Sequence, residues 1–169
     1  PPAYPHLVAG YSQNTDWSPS NDFTIETFLY SSNGHSNGTI FSIKNKNFMD
    51  TNTSYIKLYK INNSIYFDFF TSYLDEMQQP AYNMSRLIAN NLSLYENWVH
   101  IAVSRYNGIM KLFINGIEKQ TTVDNFIPRL NNHSFFIGAD IQSNPYIAGS
   151  SADGFAGYRS EEHTSELQS

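Results

Sequence analysis

Two Asn-Gly dipeptides, Asn107-Gly108 and Asn115-Gly116, lie eight positions apart in the run "NWVHIAVSRYNGIMKLFINGIEKQTTV" and limit the fold more than anything else in the chain. A two-residue type I′ hairpin needs positive φ at both central positions, and Asn followed by Gly adopts it at least cost. Around these pairs Val99, Ile101 and Val103 alternate with His100, Ala102 and Ser104, and Leu112 and Ile114 continue the apolar set beyond the first turn. Period-2 alternation interrupted by tight turns predicts a meander of antiparallel strands.

The same grammar extends outward. "NDFTIETFLY" sets Phe23, Ile25, Thr27 and Leu29 against Thr24, Glu26, Phe28 and Tyr30. Both sets hold large apolar groups, so this strand is expected to have neighbours on both faces, with Glu26 the exception. "SSNGHSNG" is turn chemistry and leads into a strand "GTIFSIK". "SYIKLYKINNSIYFDFF" reads as a hairpin turning at Asn62-Asn63. "TSYLDEMQQPAYNMS" reads as a longer connection broken by Pro80, "RLIANNLSL" as a short strand or one helical turn, and "SFFIGAD" and "GFAGY" as short strands. Regularly spaced strands with no helix between them predict one antiparallel sandwich, jelly roll or barrel.

Composition sets the remaining bounds. The chain has 169 residues, 40% of them hydrophobic, enough for one substantial core. Only 15% are charged, so Asn, Ser and Thr must keep the surface wet. No cysteine is present, which removes disulfides, thiolate nucleophiles and Cys-based zinc sites together. Net charge is −5, of which −2 sits in Arg159–Ser169, and no basic stripe offers a nucleic-acid footprint. No apolar run reaches the ~20 residues of a membrane helix. The chain opens at Pro1 rather than Met, so a signal segment is out of view.

"DFTIETFLY", "NWVHIAVSRYNGIMKLFINGIEKQ" and "FFIGAD…GFAGY" together resemble the laminin-G-like, concanavalin A-like lectin jelly roll, from Asp22 to Tyr158. The resemblance implies an all-β, antiparallel jelly-roll β-sandwich serving as a non-catalytic recognition module. It also implies a glycan or protein ligand held by loops at one rim, within a larger parent polypeptide that is extracellular, cell-surface or virion-associated. In the family a closing strand follows the segment corresponding to "GFAGY". Here the chain turns instead into "RSEEHTSELQS", which reads residue for residue as the in-frame translation of a widely used sequencing-library adapter. The expectation is a domain over residues 1–158, fragmentary at both ends. Residues 159–169 are then a non-native tail, and one edge lacks its closing strand.

Glucanase-like hydrolases share this jelly roll, and retaining hydrolysis needs two carboxyls about 5–5.5 Å apart. No "E-x-D-x-x-E" pattern occurs; Asp75-Glu76 are adjacent, and Glu26 and Asp68 stand singly on separate strands. The reading is therefore not an enzyme, and Glu26 and Asp68 within about 6 Å of each other would reverse it. Relatives hold calcium at a loop rim, which implies Asp140, Asn144 and Asp153 in "GADIQSNPYIAGSSADG" as candidate Ca²⁺ ligands. His100 is read as a sheet-face structural residue, and His35 and His133 have no second His at metal spacing. For a glycan, Tyr73, Tyr82 and Tyr146 are the candidate stacking platforms, beside Asn33, Asn37 and Asn144 as hydrogen-bonding groups. Two other readings stay open: a structural or assembly module of a fibre or surface protein, and a divergent glycoside hydrolase.

Overall fold

The computed structural model describes residues 22–31, 37–45, 54–126, 133–138, 158–159 and 163–166. The strands among them are β1 (Phe23–Tyr30), β2 (Gly38–Asn45), β3 (Tyr55–Ile61), β4 (Ser64–Leu74), β5 (Pro80–Ala89), β6 (Trp98–Tyr106), β7 (Ile109–Ile114), β8 (Ile117–Val123), β9 (His133–Ile137), β10 (Tyr158–Arg159) and β11 (His163–Glu166). They form two antiparallel sheets, in the order β10-β1-β6-β7-β8 with β11 also on β1, and in the order β5-β4-β3-β2-β9. This is a jelly-roll sandwich. No helix among the described residues is long and apolar enough to cross a membrane.

Turn chemistry sets the meander as expected. Asn107 (φ 47) and Gly108 (φ 74) turn β6 into β7, and Asn115 (φ 50) and Gly116 (φ 76) turn β7 into β8. Asn62 opens the β3–β4 turn, where its N–H donates to Asn37 Oδ1 at 2.6 Å. Two segments differ from the sequence reading. "TSYL" and "PAYNMS" are strand, not loop, because the connection shrinks to residues 75–79. Asp75 Oδ1 holds it by accepting the N–H groups of Met77 at 2.9 Å and Gln79 at 2.8 Å. Pro80 is the first residue of an edge strand, where a missing N–H breaks no ladder. "RLIA" completes that same strand.

The core lies between the sheets. Phe23, Ile25 and Leu29 of β1, Val99, Ile101 and Val103 of β6, and Met110, Leu112 and Ile114 of β7 face Ile56 and Leu58 of β3 and Ile65, Phe67 and Phe69 of β4. Phe23 and Phe69 meet with ring centroids 6.2 Å apart. β1 is fully buried on this inner face; on the other side Phe28 is 46% exposed, and Thr24, Glu26 and Tyr30 are half-buried. Glu26 lies on that wet side, which is why a carboxylate is tolerated in the strand.

The sandwich is tied along its β5 and β8 edges. Gln120 Oε1 accepts the Ile88 N–H, and Asn83 Nδ2 donates to Asp124 Oδ2 at 2.8 Å. Arg105, buried on β6, donates to the carbonyls of Asp124 and Phe126 at 3.0 and 3.1 Å and lies 5.5 Å over the Phe69 ring. At the opposite edge, Tyr158 and Arg159 pair with Tyr30 and Leu29, and His163 through Glu166 pair with Glu26 through Phe23. The place expected for a closing strand is thus occupied by two short pieces, the second lying wholly inside the adapter-like stretch.

Gly108 and Gly116 should respond differently to Ala. A Cβ on Gly116 meets nothing within 4 Å, so only the positive φ is penalised, at about 1–2 kcal/mol. A Cβ on Gly108 would come within 2.2 Å of Asn125 Oδ1 and forces that side chain aside as well. Urea denaturation should rank Gly108→Ala below Gly116→Ala; equal midpoints for the two would contradict this packing.

Candidate functional site

Alternation on three neighbouring strands builds an ordered outer face on the second sheet. Ile56 and Leu58 of β3, Phe67 and Phe69 of β4, and Leu87 and Ala89 of β5 point into the core. Their sequence neighbours therefore point out. The register lines these up in rows: Tyr59 beside Tyr66, then Lys57 beside Asp68 beside Arg86, then Tyr55 beside Phe70 beside Met84. An ionic row lies between two aromatic rows.

The aromatic rows are stacked. Tyr59 and Tyr66 lie 5.1 Å apart at 12°, and Tyr55 and Phe70 lie 4.9 Å apart at 12°. Tyr82, diagonal to Phe70, extends the second row at 5.9 Å and 26° and is 62% exposed. In the central row Asp68 accepts Arg86 Nε at 2.6 Å and Nη2 at 2.8 Å, and the Tyr59 hydroxyl at 3.2 Å. Asp68 is buried, yet three donors satisfy its carboxylate, which is what a buried acid requires.

The charges reinforce each other. The hydrogen bond to Asp68 raises the Arg86 guanidinium above the ordinary arginine range, so it stays cationic. Burial, followed by the nearby Asp68 carboxylate, pushes Tyr59 well above the ordinary phenol range, so it stays a donor. Lys57 Nζ lies 4.9 Å from the Tyr59 ring centre and Arg86 Cζ 6.0 Å from that of Tyr66. Because the Arg86 side chain is still 42% exposed, it has surface left for an outside acceptor. Flat apolar rings beside a fixed guanidinium suit a ligand with a C–H face on one side and hydroxyl or acidic oxygens on the other.

The described sequence candidates are dispersed by this geometry. Tyr82 belongs to the outer face. Tyr73 sits on the other side of β4, half-buried against Phe126 at 5.1 Å. Asn37 braces the β3–β4 turn, toward the end of β4 away from Tyr73 and Tyr82. Asn33, Tyr146, Asp140, Asn144 and Asp153 lie outside the described residues. Among the described residues no group of three His, Asp or Glu side chains is placed to hold a metal ion. Tyr55, Tyr59, Tyr66, Phe70 and Arg86 were not among the candidates, although period-2 counting along "YIKLYK" and "IYFDFF" puts the four rings on one side. Glu26 and Asp68 lie on the outer faces of different sheets, bonded to His100 at 3.0 Å and to Arg86 respectively, and form no carboxylate pair.

The family model Laminin_G_3, described as the concanavalin A-like lectin/glucanases superfamily, matches residues 9–157. The chain belongs to this superfamily. No curated protein matches the chain in sequence. Among solved structures, this superfamily member is similar to the mouse laminin alpha1 chain, domains LG4-5, at 12% identity and a TM-score of 0.61, covering 90% of this chain and 37% of that one. It is also similar to the Ruminococcus gnavus IT-sialidase CBM40, at 16% identity and a TM-score of 0.60, covering 85% of this chain and 75% of that one. Likeness at this level of identity establishes the shared sandwich and nothing about ligands.

Asp68→Ala should lower unfolding stability by about 2 kcal/mol, because it strands a guanidinium and a half-buried phenol, with half-exposed Arg86 softening the loss. Chemical denaturation measures it. A change below about 0.5 kcal/mol would mean that the ionic row is a surface pair of no consequence.

Proposed function

We propose that the chain is a non-catalytic carbohydrate-binding module of a larger extracellular, cell-surface or virion-associated protein, and that it binds through the outer face of the second sheet. The supporting observation is the exposed Tyr82 ring, stacked on Phe70 beside the Asp68–Arg86 pair. Sugar rings stack on such platforms through their C–H faces, and their hydroxyls or carboxylates reach the guanidinium. Superfamily membership agrees with this reading. So does the fold neighbour CBM40, one structure of which is bound to alpha2,3 sialyllactose. Residues 1–158 form the module in this proposal, and 159–169 are not part of its native sequence. Asp140, Asn144 and Asp153 remain the proposed calcium ligands of its loop rim.

A glycan array carrying neutral and sialylated oligosaccharides, probed with calcium and with chelator, tests the reading. Tyr82→Ala should weaken binding at least about tenfold, with an unchanged melting temperature because the ring is mostly in water. Binding to no glycan under either condition would remove the proposal. Signal lost only with chelator would place calcium in the site.

A chain ending at Tyr158 should keep its glycan affinity while melting a few degrees lower, since the edge of β1 loses the hydrogen bonds of β11. Isothermal titration and calorimetry read the two separately, and affinity lost with the tail would make it part of the module.

A further inference from the structure

The outer face of the first sheet carries a second aromatic patch, unconnected to the one above. β1 and β6 pair so that Tyr30 lies beside Trp98 and Phe28 beside His100. The Tyr30 and Trp98 rings are 5.4 Å apart at 47°, and Phe28 and His100 are 4.8 Å apart at 37°. Trp98 is 52% exposed and Phe28 46%. Two large rings this wet on the outer face of a sheet gain little for folding from their exposed halves.

Polar groups surround the rings with both hydrogen-bonding signs. Glu26 Oε2 is held by His100 Nε2 at 3.0 Å, which points the carboxylate along the patch while its side chain stays 43% exposed. Asn115, at the β7–β8 turn, is fixed through its Oδ1 by the His100 N–H at 2.9 Å, which leaves its amide N–H groups as donors. The Trp98 indole N–H is a further donor. Among the described residues, the negative charge at the patch is Glu26. On the same face, Lys111 is already paired with Glu118 at 2.8 Å.

From this arrangement we propose that the Trp98–Tyr30–Phe28 patch is a second binding site, specific for neutral sugar rings. Stacking rings with fixed donors and acceptors match a polyol. The half-exposed Glu26 carboxylate disfavours sialic and uronic acids, the class of ligand proposed for the Arg86 face. The site stands on its own residues and does not depend on the proposal for the second sheet.

Tryptophan fluorescence of the full chain, titrated with neutral cello-, xylo-, manno- and galacto-oligosaccharides to millimolar levels, tests it against α2,3-sialyllactose. At least one neutral oligosaccharide should change the emission, and Trp98→Ala should weaken its binding at least tenfold by isothermal titration. Trp98→Phe should keep most of the affinity while abolishing the Trp98 signal. Phe28→Ser, which removes an exposed ring, serves if Trp98→Ala melts early. Tyr82→Ala should leave this binding intact. No response to any of the neutral sugars overturns the site, as does equal affinity in Trp98→Ala. Binding lost in Tyr82→Ala but kept in Trp98→Ala overturns it while leaving the second-sheet reading standing.

Discussion

Everything on both surfaces of this sandwich depends on the register of β6. It is the strand that pairs with β1 on one side and β7 on the other. With Val99, Ile101 and Val103 turned inward, the neighbouring Trp98, His100 and Ser104 are forced outward. A slip of one residue would put an indole and an imidazole in the core and three aliphatic groups in water. The Asn107-Gly108 turn pins the β7 side of that register. On the β1 side, Phe23 opposite Arg105 through Tyr30 opposite Trp98 makes eight matched positions. Asn115 adds a third lock, since it exchanges hydrogen bonds with the His100 backbone beyond the end of β7.

Several polar groups inside and along the rims are held by specific hydrogen bonds. Arg105 interrupts an apolar strand, and its burial lowers its proton affinity against the pull of Asp124. It stays because two loop carbonyls accept its N–H groups and Phe69 covers its face. The same Asp124 receives Asn83 from the other sheet, so one short segment after β8 joins a core cation, an edge strand and a loop. Gln120 works similarly by capping an N–H of edge strand β5 that no neighbouring strand reaches. Such caps blunt the edges without lengthening either sheet.

What could be read in the sequence follows from the range of the forces involved. Hairpins depend on residues adjacent in the chain, so Asn62, Asn107 and Asn115 announced their turns correctly. The β4–β5 connection misled, because Pro80 breaks a central strand but not the start of an edge strand, and which strand lies at an edge is a tertiary fact. On β1 the two apolar sets look equally burial-ready, and only the packing of one face of its sheet against the other sheet buries Phe23, Ile25 and Leu29 and leaves Phe28 half-wet. Of the loop residues picked for a ligand, Asn37 and Tyr73 took structural roles, because Asn and Tyr serve turns and cores as readily as sugars. Arg86 and its rings went unnoticed because the rows exist only across strands brought together from residues 55, 70 and 82.

The two outer faces differ in the partner given to their acid, and that difference separates their chemistry. Asp68 is enclosed by a guanidinium and a phenol, so its charge is spent internally and the surface it leaves is cationic and aromatic. Glu26 is bonded, among the described residues, to the His100 ring and its side chain stays 43% exposed, so its face keeps an acidic oxygen beside aromatic rings. Each acid sits beside paired rings, stacked at Asp68 and tilted at Glu26, on side chains that strand register already holds together. Preformed surfaces of this kind lose little freedom on binding, which suits modest, repeated contacts along a glycan better than one deep pocket. In the proposed function, platforms of opposite charge on the two faces sort sugars by the face they suit.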